Sequence, residues 1–112
     1  MHEMSIAMSL INQVLEVASR NNAQRVDEVM LEVGFLRQVV PEAMHMAWEA
    51  VTEDTPARGS VLTITEVPPE AKCRKCGTRF VPGIDTFLCP GCGQADVEIT
   101  AGNDIVLKSM SC

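Results

Sequence analysis

The sequence predicts an α+β fold with a small cysteine-bearing module inserted into it, and three observations carry that reading. Apolar residues recur at three- and four-residue spacing near the N-terminus and again after Pro41, which is the helical period. Later stretches are rich in β-branched residues and alternate apolar with polar, which is the strand period. Between residues 70 and 100 the composition turns to cysteine, glycine and proline, and a strand pattern returns after Gly102.

The elements follow in order. Residues Glu3 to about Asn21 read as an amphipathic helix whose buried stripe is Ala7, Leu10, Ile11, Val14, Leu15 and Ala18; Asn21, Asn22 and Ala23 break the pattern. "RVDEVMLEV", Arg25 to Val33, reads as a strand bounded by Gly34. A second helix begins near Pro41, because proline suits the first helical turn and Glu42 suits the positive end of the dipole. Its stripe is Met44, Ala47, Trp48 and Val51. "EDTPARGS" is a loop, "VLTITEV" is a strand, and Pro68 with Pro69 stops it. "DIVLKSM" is a last strand with no core of its own, so it must pair with a strand of the first domain. The seven methionines are read as packing residues.

The chain has 112 residues, 46% apolar and 21% charged, which is globular and not disordered. No apolar run is long enough to span a membrane, and the N-terminus carries no secretory pattern, so the cytoplasm is the expected compartment. Residues 1–69 hold four Arg against ten Asp and Glu, a balance of −6; residues 70–100 hold four Lys and Arg against four Asp and Glu, a balance of zero. An acidic surface argues against nucleic-acid binding, whose affinity comes largely from basic residues.

"CRKCG" at Cys73 to Gly77 and "CPGCG" at Cys89 to Gly93 are separated by twelve residues after Cys76. Two C-x2-C pairs at this spacing are a strong metal signature. Each pair makes a tight turn that aims two sulfurs at one centre, and Gly77 and Gly93 relieve the backbone there. Four thiolates suit tetrahedral Zn2+ with no open position, hence a structural site at Cys73, Cys76, Cys89 and Cys92. Disulfides are disfavoured in a reducing compartment, and an iron site of rubredoxin type is the main competitor. A module of about 30 residues cannot fold on apolar burial alone, so metal supplies its folding free energy. The fold is therefore a small mixed domain of two helices on a roughly three-stranded sheet, residues 1–69 plus 101–112, with an inserted zinc-ribbon module at 70–100. Cys112 stands at the C-terminus without a partner and is read as a free thiol.

The chain opens "MHE". The Met1 amine, the His2 backbone nitrogen and the His2 imidazole can hold one ion in fused five- and six-membered rings. The amide must lose its proton, which needs a strongly polarising ion such as Ni2+ or Cu2+. Glu3 offers a carboxylate, or its own backbone nitrogen, beside the chelate. The bland reading of a histidine at position 2 is a solvated terminal residue. His45, the other histidine, reads as a half-exposed helix residue.

"MHEMSIA", "VGFLRQVVPEAM", "CRKCG…CPGCG" and "VEITAGNDIVLKSM" occur in that order. Together they resemble the HypA/HybF family of hydrogenase nickel-incorporation proteins over essentially the whole chain. The absence of a Ser/His/Asp set and of a glycine-rich phosphate loop separately argues against an enzyme; the resemblance implies a nickel metallochaperone. It implies Ni2+ as cargo at His2, with the Met1 amine and Glu3 completing or tuning the site, and structural zinc at Cys73, Cys76, Cys89 and Cys92. It implies a HypB-type GTPase and the [NiFe]-hydrogenase large subunit precursor as partners, and in some organisms the urease maturation proteins. The chain departs from the family pattern at two places. Phe35 and Leu36 follow Gly34 where relatives often have an acidic residue, and Gly93-Gln94-Ala95-Asp96 lacks the histidine some relatives carry beside the second knuckle. The fourth nickel ligand stays open among Glu3, Asp96 and water.

A second reading is a zinc-ribbon module that binds nucleic acid or a protein complex, because Lys72, Arg74, Lys75 and Arg79 cluster at the first knuckle. A zinc enzyme is the third, and a closed four-cysteine sphere argues against it.

Overall fold

The structure is a computed structural model that describes residues 2–83 and 87–112. Helix α1 runs His2–Arg20, strand β1 Glu28–Gly34, helix α2 Pro41–Thr52, and strands β2 Val61–Val67, β3 Glu70–Cys73, β4 Arg79–Phe80, β5 Val97–Ala101 and β6 Ile105–Ser111. A single 3-10 turn, Phe35–Arg37, lies between β1 and α2. The strands form two three-stranded sheets, ordered β2-β1-β6 and β4-β3-β5.

The α1 stripe is buried at Ala7, Leu10, Ile11, Val14 and Ala18, while Leu15 is half-buried. Glu3 opens the helix and Arg20 closes it, each sign matching the nearby end of the macrodipole. The Arg20 guanidinium donates to Glu16 one turn back. The helix stops where Asn22 turns left-handed at φ 54 and Ala23 N–H donates 2.8 Å to the Ala18 carbonyl, a closure of Schellman type.

Strand β1 starts at Glu28, three residues later than the alternation of "RVDEVMLEV" suggests. Val26 is spent elsewhere: it is buried and its N–H donates 3.0 Å to the Pro56 carbonyl. The strand then buries Val29, Leu31 and Val33 and leaves Glu28, Met30 and Glu32 half-buried, so one face of the sheet is closed. Its partner β6 is held at both ends, by Gly34 N–H to the Asp104 carbonyl at 2.7 Å and Asp27 N–H to the Ser111 carbonyl at 2.8 Å. As one strand's numbering rises the other's falls, so the pair is antiparallel. Lys108 reaches Glu32 across it at 3.1 Å. The last strand thus borrows its sheet, as its lack of a private core requires.

Helices α1 and α2 pack on each other. Pro41 occupies the first turn of α2, and Met44, Ala47 and Trp48 are buried. The fourth stripe position is Thr52 and not Val51, which is only half-buried. Thr52 tolerates burial because its hydroxyl donates 2.8 Å to the Trp48 carbonyl one turn back. The reading of all methionines as packing residues is corrected here: Met44 is fully buried, but Met8 and Met46 are 56% and 72% exposed.

By backbone packing the chain forms two compact units: Met1–Glu32, Val39–Thr65 and Val106–Cys112 make the first, and Val33–Gln38 with Glu66–Ile105 the second. The first contains both helices. In the second, β3 pairs antiparallel with β4 (Ala71 opposite Phe80) and with β5 (Cys73 opposite Val97), with an irregularity between Glu70 and Ala71. Its buried apolar residues include Val33, Ala71 and the sulfur-bearing Cys73 and Cys89. Among the described residues no helix is long and apolar enough to cross a membrane.

Candidate metal centres

The two cysteine pairs build one site from two copies of one turn. In the first knuckle Cys73 N–H donates 2.9 Å to the Thr78 carbonyl and Gly77 N–H donates 3.0 Å to the Cys73 carbonyl. In the second, Cys89 N–H donates 2.9 Å to the Gln94 carbonyl and Gly93 N–H donates 2.8 Å to the Cys89 carbonyl. Gly77 and Gly93 stand at the same place in each turn, at φ 77 and φ 73, a left-handed backbone that glycine adopts at little steric cost. The pattern leaves amide protons facing sulfur: Cys76 N–H lies 3.5 Å from Cys73 Sγ, and Gly91 N–H 3.3 Å from Cys89 Sγ.

All four Sγ atoms of Cys73, Cys76, Cys89 and Cys92 lie within 4.8 Å of one another. Across the knuckles, Cys73 Sγ lies 3.5 Å from Cys92 Sγ and Cys76 Sγ 3.5 Å from Cys89 Sγ. All are free thiols, so the disulfide reading fails. Four sulfurs at ~2.3 Å from a zinc ion stand roughly 3.8 Å apart along a tetrahedral edge, a spacing that falls between the 3.5 Å of the two cross-knuckle pairs and the 4.8 Å that bounds the cluster. Cys73 and Cys89 are buried, Cys76 and Cys92 exposed.

The four thiols differ in how readily they ionise. Cys76 is held down to about 6, first by the Thr78 hydroxyl 3.1 Å from its sulfur, then by the Thr78 backbone N–H and the Cys89 sulfur. Cys73 is lowered by the Cys76 N–H. Cys92 goes the other way, to about 12: the Gln94 N–H pulls it down, but the Cys73 sulfur, desolvation and the Cys89 and Cys76 sulfurs together outweigh that pull. Once the first thiolates form, the last resists ionisation, and a divalent ion removes that resistance.

The N-terminal residues are arranged differently. His2 starts α1 with its side chain 53% exposed, and its Nε2 lies 3.3 Å from Glu3 Oε2. Glu3 is buried, 8% exposed, and its Oε2 accepts the Val40 N–H at 3.2 Å. That bond, with the His2 ring nearby, holds the Glu3 carboxyl below its usual range. Met1 lies outside the described residues. Asp96 is engaged within the ribbon, where its carboxylate accepts from Arg74 at 3.1 Å. His45 is exposed on α2. Among the described residues no second group of three metal-ligating side chains converges.

Two contributors escaped the sequence reading. Thr78, two residues past Cys76, tunes that sulfur, and its place beside the knuckle glycine is the only signal that could have found it. Val40 acts through its backbone N–H and leaves no mark in residue type. The basic cluster also looks different in three dimensions: Arg74 pairs with Asp96 and Arg79 with Glu70, so half of it is neutralised within the ribbon.

Comparison with known proteins agrees with this arrangement. Residues 1–112 match the family described as hydrogenase/urease nickel incorporation, metallochaperone, hypA. A hydrogenase maturation factor HypA of Methanocella arvoryzae is 41% identical over 111 residues, covering 98% of this chain and 96% of that protein. One from Chlorobium phaeobacteroides is 36% identical, covering 99% and 98%. Among solved structures, the solution structure of the Ni metallochaperone HypA from Helicobacter pylori superposes with a TM-score of 0.72 at 28% identity, covering 96% of this chain and 94% of that one.

Proposed function

This chain belongs to the HypA family of hydrogenase and urease nickel-incorporation metallochaperones, and from that premise we propose that it carries Ni2+ at its N-terminus and releases it during [NiFe]-hydrogenase maturation. The cargo site is the Met1 amine, the His2 backbone nitrogen and the His2 imidazole, with Glu3 tuning it. The observation that carries this reading is a half-exposed His2 imidazole at the first residue of α1, with a buried carboxylate beside its ring.

The working division is residues 1–69 plus 101–112 for nickel and 70–100 for the zinc ribbon. Cys73, Cys76, Cys89 and Cys92 hold zinc, and the ion when bound supplies folding free energy to the ribbon. A chelate at a chain end can be taken apart one donor at a time as acceptor ligands arrive, which suits delivery. The partners in this reading are a HypB-type GTPase and the hydrogenase large subunit precursor, with urease maturation proteins as a second client. The protein works in the cytoplasm as a carrier and not as an enzyme.

The test is metal content and nickel titration on tag-free protein, wild type beside His2→Ala. One zinc in both and tight nickel binding in the wild type alone is the expected result. An N-terminal extension, which turns the Met1 amine into an amide, weakens nickel as well. Equal nickel binding by His2→Ala removes the N-terminus from the site.

A further inference from the structure

Glu3 is acidic and adjacent to the proposed nickel nitrogens, yet the structure has already committed its carboxylate. Glu3 Oε2 accepts the Val40 N–H at 3.2 Å, on the residue that precedes the first turn of α2, and the side chain is 11% exposed. The same oxygen faces His2 Nε2 at 3.3 Å. The imidazole has two nitrogens, and the chelate can use only one. From the His2 amide nitrogen, Nδ1 closes a six-membered ring through Cα, Cβ and Cγ; Nε2 lies too far round the ring to close one. The nitrogen that meets Glu3 is therefore the one that does not bind the ion.

We propose that Glu3 is a positioning residue for nickel: anchored by the Val40 N–H, its carboxylate faces the Nε2–H edge of His2, fixes the ring orientation, and presents an unprotonated Nδ1 to the cargo. This rests on the nickel reading above. Metal-bound histidines commonly place their second N–H against a carboxylate in this way, and loss of such a partner weakens metal binding by about ten- to a hundredfold. The geometry leaves the fourth nickel position to a donor other than this carboxylate.

The proposal is tested in tag-free, zinc-loaded protein with Ni2+ alone as probe, comparing wild type, Glu3→Gln, Glu3→Ala and Val40→Pro. Val40 sits at φ −85, ψ 115, close to the proline range, and the change removes the anchoring N–H while leaving every nickel donor in place. Before nickel is added, ¹⁵N-edited NMR of the imidazole is expected to show a slowly exchanging His2 Nε2–H in wild type and Glu3→Gln, and to lose it in Glu3→Ala. Nickel affinity then falls about ten- to a hundredfold in Glu3→Ala and Val40→Pro, with Glu3→Gln between. The visible absorption of bound nickel stays the same throughout, because the donor set has not changed. Wild-type affinity in Glu3→Ala or in Val40→Pro overturns the proposal. So does a shifted nickel spectrum in Glu3→Gln, which makes the carboxylate a ligand. The metal-free imidazole signal separates this from failure of the nickel site itself, which His2→Ala reports independently.

Discussion

Gly102 is buried at φ +85, and a Cβ built on it falls 2.5 Å from Pro69 Cα and 2.9 Å from the Pro68 carbonyl oxygen. From the other side, a Cβ on Gly34 falls 2.3 Å from the Gly102 carbonyl carbon. Three stretches of backbone meet there with no room for a side chain, and Leu36 N–H to the Gly102 carbonyl at 2.9 Å ties two of them. Gly59 is the natural control, with φ +77 and nothing within 4 Å of its Cβ position. Gly59→Ala therefore costs about 1 kcal/mol from backbone conformation alone. Gly102→Ala adds a clash with main chain that cannot move aside, and about 3 kcal/mol is expected. Urea midpoints of the zinc-loaded variants read the difference; equal losses would mean the close approach relaxes freely. This close approach was not legible beforehand. A glycine marks a turn in the sequence, but the neighbour it makes room for is set by chain folding thirty to seventy residues away. The cysteines are the opposite case, because C-x2-C spacing encodes its own local geometry.

At the scale of elements, α2 shows how far periodicity carries. Pro41, Glu42 and the three-four spacing of Met44, Ala47 and Trp48 located the helix, and its buried face followed. The period alone could not choose between Val51 and Thr52 for the next position, since a helix of 3.6 residues per turn brings either near the stripe. The hydroxyl bond to Trp48 decides it. Methionine identity was equally uninformative: Met44 is 0% exposed and Met46, two residues on, 72%. Met44→Ala is expected to cost about 3 kcal/mol, as deletion of a buried side chain does, and Met46→Ala less than about 0.5 kcal/mol. Trp48, the chain's one tryptophan, is 2% exposed and donates its indole N–H 3.0 Å to the Ser60 hydroxyl, so its fluorescence reports this core directly during denaturation. Similar midpoints for the two variants would contradict the packing. The ribbon strands were invisible for a different reason. Glu70–Cys73, Arg79–Phe80 and Val97–Ala101 are too short to show a period, and their pairing is dictated by the knuckles they flank.

On the scale of the whole molecule, the chain's two compact units hold together by different means. The helical unit has an apolar core of Leu10, Val14, Leu31, Met44 and Trp48. Among its described residues the ribbon buries little beyond Ala71, Pro82, Cys73 and Cys89, so an ion bound by the four sulfurs would add to its stability. That contrast was readable from composition, as was the sign of the charge, because both are sums over residues. Zinc affinity at such a site is a function of pH because protons compete for the sulfurs, and the direction follows from the thiols. All four must be thiolates to bind. Cys92, at about 12, still carries its proton at neutral pH and must release it, so affinity rises with pH by about tenfold per unit from this proton. Cys76, at about 6, is already ionised above that pH and contributes no slope there; below it the thiol re-protonates and a second factor of about ten per unit appears. The logarithm of the zinc affinity should therefore steepen as pH falls through about 6. Competition against a chromophoric chelator from about pH 5 to about pH 8 measures it. In Thr78→Val the hydroxyl that leads the lowering of Cys76 is gone, so the break moves to higher pH. A slope that stays constant through about 6 in the wild type, or a break that does not move in the variant, would show that Thr78 does not set the Cys76 thiolate.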